Sequence, residues 1–158
     1  RPLSKNKGSV QYHIGKQKEK DNIMATFVFT DASVTINSVD LSDHVRSVTL
    51  DITAEEQDDT AMGSTFRSRK GGLKEGSLSL EFNSDFAAAE IDATIFPILG
   101  TNVAYVVKPT SGSVSATNPS YSGNCLVTQH VPVGNAVGDL ATVSVTWPTT
   151  GTISRATS

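Results

Sequence analysis

Val45-Arg46-Ser47-Val48-Thr49-Leu50-Asp51-Ile52-Thr53 and Gly76-Ser77-Leu78-Ser79-Leu80-Glu81-Phe82-Asn83 are the two stretches that decide the fold. In the first, Val48, Leu50 and Ile52 alternate with Ser47, Thr49, Asp51 and Thr53. In the second, Leu78, Leu80 and Phe82 alternate with Ser77, Ser79, Glu81 and Asn83. A period of two places one set of side chains against a core and the other against water or a wet cavity, which is the signature of half-buried β-strands.

Working outward, Thr26–Phe29, Ser33–Ile36 and Val39–Leu41 are short β-prone runs, the last two separated by a two-residue turn at Asn37-Ser38. Asn102–Lys108, Tyr121–Val131 and Leu140–Trp147 complete the strand-like segments. Between Asn83 and Pro97 a helix is expected. Ser84 or Asp85 is suited to cap it, Ala87-Ala88-Ala89 favours it, and Pro97 and Gly100 end it. About seven strands and one helix predict a mainly β chain, a β-sandwich or small barrel with a helix alongside.

The chain has 158 residues, enough for one domain with a sizeable core. Residues 1–23 hold Arg1, Lys5, Lys7, Lys16, Lys18 and Lys20 against Glu19 and Asp21, so the rest is acidic within a net charge of −3. This leader has no strand or helix period. It reads either as a basic arm or as translated upstream sequence ahead of a start at Met24, with Lys18-Glu19 encodable as a purine-rich ribosome-binding sequence. Residues 24–158 form the expected single domain.

Ala54–Glu75, between the two decisive strands, reads as a long loop with segregated charge. Glu55, Glu56, Asp58 and Asp59 come first, and Arg67, Arg69, Lys70 and Lys74 follow. Either these charges are simply solvated, or the loop is a docking element whose opposite ends pair head to tail between copies.

Catalytic patterns are missing. His13, His44 and His130 match no zinc or triad spacing, and no phosphate-binding loop or nucleophile elbow is present. Asp58-Asp59 lacks the glycine and glutamate spacing of a calcium loop. The lone Cys125 lies in a strand-like run and reads as a small core residue. No stretch approaches the roughly 18 to 20 apolar residues of a membrane helix. An acidic body offers no basic footprint for duplex recognition. The expectation is therefore a non-enzyme with no cofactor and no metal.

Several stretches, in order, carry a resemblance. Val34-Thr35-Ile36-Asn37-Ser38-Val39-Asp40-Leu41-Ser42-Asp43-His44-Val45-Arg46-Ser47-Val48 is similar to the opening of actinobacterial phage tail-tube (major tail) proteins. Asp58-Asp59-Thr60-Ala61-Met62-Gly63, Ala87–Pro97, Pro109-Thr110-Ser111 and Ser115–Pro119 resemble the same family. The likeness spans about Thr26 to Ala156.

The resemblance implies a subunit of a long, non-contractile phage tail. Hexameric rings would share their inner sheets as one barrel and stack into a tube, assembled in the host bacterial cytoplasm. The implied partners are further copies of the chain, a tape-measure protein, and tail terminator and tip proteins. DNA would pass through without sequence-specific binding, and no membrane is involved. On that reading Ser47, Thr49, Asp51, Thr53, Ser77, Ser79, Glu81 and Asn83 line the lumen, offering hydroxyls and carboxylates but no cation for phosphates. Glu55, Glu56, Asp58, Asp59, Arg67, Arg69, Lys70 and Lys74 become the inter-ring contact. The alternatives are a contractile-type tube, a tail terminator or other head–tail ring protein, or a non-catalytic β-sandwich binding module.

Overall fold

The computed structural model describes residues 26–158; the leader, Met24 and His13 lie outside the described residues. The chain is mainly β with one short helix. Its strands are β1 (Ser33–Ile36), β2 (Val39–Asp40), β3 (Val45–Asp58), β4 (Arg69–Asn83), β5 (Asn102–Lys108), β6 (Ser120–Leu126) and β7 (Thr142–Ala156), with α1 at Ile91–Ile95. They form one antiparallel seven-stranded sheet in the order β2-β1-β5-β6-β7-β4-β3.

The sheet turns a corner within β7. Residues Thr142–Pro148 pair with β4, and from Thr149 onward the strand pairs with β6 instead. Pro148, which has no N–H to give a ladder, is the last residue before the change of partner. A strand that changes partners in this way lets two parts of a sheet enclose a common core. That core takes Val34 and Ile36 from β1, Val103, Tyr105 and Val107 from β5 and Cys125 from β6. From the other part come Leu78, Leu80 and Phe82 of β4 and Val143, Val145 and Trp147 of β7. Trp147 is fully buried, and its indole N–H donates to the Gln129 carbonyl at 2.8 Å. Burial raises the Cys125 thiol to about 11, as expected of an inert core cysteine.

Asn37 and Ser38 both adopt positive φ, the backbone that a tight two-residue hairpin turn requires. Gly76 is needed at the corner: a Cβ there would lie 2.8 Å from Ile153 Cδ1 and 2.9 Å from the Asp51 carbonyl.

Five expected boundaries are corrected, the first being β7, which runs Thr142–Ala156 rather than Leu140–Trp147. Thr26–Phe29 is not a strand, and β6 ends at Leu126 rather than Val131. The helix shrinks to Ile91–Ile95 because Ala89 takes φ +66°, which no α-helix accommodates; Phe86 and Phe96 stay exposed. Ala54–Glu75 is not a loop throughout. β3 and β4 continue as a ladder, with Ala54 opposite Lys74 and Asp58 opposite Arg69, leaving only residues 59–68 as connection.

Candidate channel face and arm

The β3–β4 hairpin carries both groups of predicted residues, and its two halves differ in what lies behind them. In the root half, Val48 and Leu50 pack against the core opposite Leu80 and Leu78. Their alternates form the other face: Ser47 is opposite Glu81, Thr49 opposite Ser79, and Asp51 opposite Ser77. Thr53 is opposite Glu75. Seven of the eight predicted lumen residues thus lie together on one two-stranded surface. Asn83 extends it on β4 and pairs with Thr142 of β7 rather than with β3.

β7 adds a third row that the sequence reading passed over. Ser144 lies opposite Glu81 and Thr146 opposite Ser79, where the two hydroxyls are 3.1 Å apart. The signal was present: Val143, Val145 and Trp147 alternate with Ser144 and Thr146. The result is a hydroxyl-rich, three-stranded face in which Thr49, Ser79 and Thr146 share one row.

The expectation that this face holds no cation needs correction. A bulge between Val45 and Ser47 inserts Arg46 as an extra residue, and its guanidinium reaches Glu81 Oε1 at 3.1 Å. Glu81 is therefore neutralised. Asp51 makes no ion pair among the described residues, nor does Glu75, which the same register adds.

In the distal half nothing backs the ribbon. Residues 53–70 are exposed throughout. Five residues at about 3.4 Å each carry the ladder roughly 17 Å beyond Thr53. Six of its eight predicted contact charges are already paired within the arm. Arg69 Nε meets Glu56 at 2.8 Å, Lys70 meets Asp59 at 2.8 Å, and Arg67 lies 3.8 Å from Asp58. Hydrogen bonds from Thr60 hold Asp58 below the usual carboxylate range, and Lys70 with Ser68 does the same for Asp59. Ser68 N–H donates to Thr60 Oγ1 at 2.9 Å and closes the ladder's end. Glu55 and Lys74 make no ion pair among the described residues. Beside those two charges the arm exposes large apolar side chains: Met62, Phe66 and Leu73 are 105%, 86% and 82% exposed.

A third cluster was not foreseen. Asp43, His44 and Glu90 bring ligand-type atoms within 4.8 Å of one another, with Asp85 on the far side of the imidazole. Both ring nitrogens face carboxylate oxygens, so a doubly protonated imidazole would donate to Asp43 on one side and Asp85 on the other. The sequence could not reveal it, since 41 residues separate His44 from Asp85.

No family profile and no curated protein matches the chain. Solved structures do share its fold. A chain in the virion of a native gene transfer agent particle matches with a TM-score of 0.67 at 17% identity, over 83% of this chain and 99% of that one. A chain in the tail of an empty gene transfer agent particle with C6 symmetry matches with a TM-score of 0.57 at 19% identity, over 70% and 81%. At these identities the likeness is one of fold.

Proposed function

We propose that this chain is a non-enzymatic structural subunit of a phage-like tail tube, forming stacked homo-oligomeric rings, each a hexamer, around a channel for DNA. The observation that carries the reading is the fold shared over nearly the whole of a chain from a gene transfer agent virion, together with a likeness to a chain from a C6 tail. The strand order supports it. β3 ends the sheet, and its outer edge has no strand partner among the described residues along 14 residues. An edge that long invites pairing with another chain, and ring closure removes it. One seven-stranded subunit is too small to surround a duplex, since barrels of about eight strands are filled by side chains. Several copies joining edges make a wider bore.

In that assembly the Ser47/Thr49/Asp51/Thr53 and Ser77/Ser79/Glu81/Asn83 face, widened by Ser144 and Thr146, lines the channel. Hydroxyls and the unpaired carboxylates Asp51 and Glu75 present no cationic row to phosphates, so DNA passes without lasting contacts. The arm makes the contact between rings. With most of its charges paired internally, Met62, Phe66 and Leu73, together with Glu55 and Lys74, supply the contact surface. The tape-measure, terminator and tip proteins are the expected partners in a virion tail.

Negative-stain microscopy of the concentrated protein tests this. Hollow tubes of stacked rings are expected; isolated single rings would favour a terminator, and a persistent monomer would refute both.

A further inference from the structure

Both histidines of the described residues hold the same short segment. His130 Nε2–H donates to Asp92 Oδ1 at 2.9 Å, at the start of α1. His44 meets the other end: Nδ1–H donates to Asp43 at 2.8 Å and lies 3.4 Å from Glu90, while Nε2–H donates to Asp85 at 3.2 Å. The two attachments differ chemically. His130 is 2% exposed and its Nδ1 is buried without a partner, so one proton, on Nε2, is all its bond to Asp92 needs. His44 bonds ionised carboxylates through both nitrogens. Carboxylates only accept, so both nitrogens must carry protons.

The segment between these anchors is strained, and at its C-terminal end Thr94 donates its hydroxyl to the Ala89 carbonyl at 3.3 Å and its N–H to the Glu90 carbonyl at 3.0 Å. Ala89 sits at φ +66°, a region that side chains other than glycine, Asn and Asp rarely adopt. Its internal bonds run from Ala87 N–H to Asp85 Oδ1 at 2.8 Å, from Glu90 N–H to the Ala87 carbonyl at 3.3 Å, and from Asp92 N–H to the Asp85 carbonyl at 3.2 Å. Phe86 is 61% exposed on it, and the segment directly follows Asn83, where the polar face of β4 ends.

We propose that residues 85–90 form a pH-gated flap, hinged at the His130–Asp92 contact and latched by a doubly protonated His44 between Asp43, Asp85 and Glu90. Loss of one proton from His44 removes a donor and leaves three carboxylates around a neutral ring. The segment then swings out, relaxes Ala89 and moves Phe86. Burial alone lowers the His44 pKa, but the hydrogen bonds to Asp43 and Asp85 and the charges of Asp43 and Glu90 outweigh it, and the net shift is upward. A raised value in the latched state means the latch is complete below about 6.5 and fails as pH rises through the latched value.

Hydrogen exchange of the dilute full chain, expressed as protection relative to intrinsic rates between pH 6 and 9, reads this directly. Protection of residues 85–92 is expected to fall by about tenfold per pH unit above the ordinary histidine value until the latched value is passed. Peptides from β4 report global folding and are expected to stay level. In His44→Gln the segment should be less protected at pH 6 and independent of pH. Segment protection that does not vary with pH in the unmodified chain, or a pH dependence that survives His44→Gln, overturns the proposal. Imidazole nitrogen shifts give a second reading without mutation: two protonated nitrogens on His44 at pH 6, below its ordinary value, are expected, and one would refute the latch.

Discussion

The root and the distal half of the β3–β4 hairpin are one continuous ladder, yet they obey different rules. At the root the apolar alternates Val48 and Leu50 have Leu78, Leu80 and the rest of the core to pack on. Beyond Thr53 and Glu75 the same backbone pairing continues with water on both faces. The root is held by burial. The arm is held by its ladder and by cross-strand ion pairs, and it exposes apolar groups instead of hiding them. A surface built like the root can serve as a wall; one built like the arm suits contact with something else.

Substitutions should separate the two halves, beginning with the largest effect. Phe82→Ala at the root, fully buried, is expected to cost about 3–5 kcal/mol in denaturant unfolding. Phe66→Ala on the arm is expected to change the same quantity by less than about 0.5 kcal/mol. Equal losses at the two sites would end the distinction.

Assembly should show the reverse sensitivity. Met62→Ser with Phe66→Ser should leave the melting temperature in place and abolish long tubes under the microscope. Reversing Arg67, Arg69 and Lys70 to Glu should also prevent tubes, by setting like charges against Glu56, Asp58 and Asp59 across the arm. Unchanged tube length in both variants would remove the arm from the ring contact.

A smaller effect is expected on the face itself. Asp51→Lys with Glu81→Lys should permit tubes but slow DNA ejection, because Glu81→Lys also releases Arg46 into the channel. Normal ejection would detach this face from the DNA path. Smallest of all, Arg69→Gln should cost no more than about 1 kcal/mol, and that cost should shrink in high salt.

The same contrast explains what the sequence made legible. Alternation identified the root strands and their polar residues because a core selects every second side chain. The arm has no core to select anything, so Ala54–Glu75 shows no period and reads as a loop although both its ends are paired as a ladder, up to Asp58 and from Arg69. Ala87-Ala88-Ala89 carried helix propensity, but a short exposed run does not overcome the cost of nucleation, and positioning Asp85 and Glu90 around His44 takes precedence. The run expected to end at Trp147 continues through Pro148, the point at which β7 changes partners, to Ala156. Arg46 was hidden by a bulge, a one-residue irregularity that periodicity does not report.

The most direct measurement is a helical reconstruction of the tubes formed by the concentrated chain. The outer edge of β3 should be hydrogen-bonded to a neighbouring copy, with Ser47, Thr49 and Asp51 facing the bore. A tube in which that edge stays unpaired, or in which these side chains lie on the outer surface, would contradict the assignment.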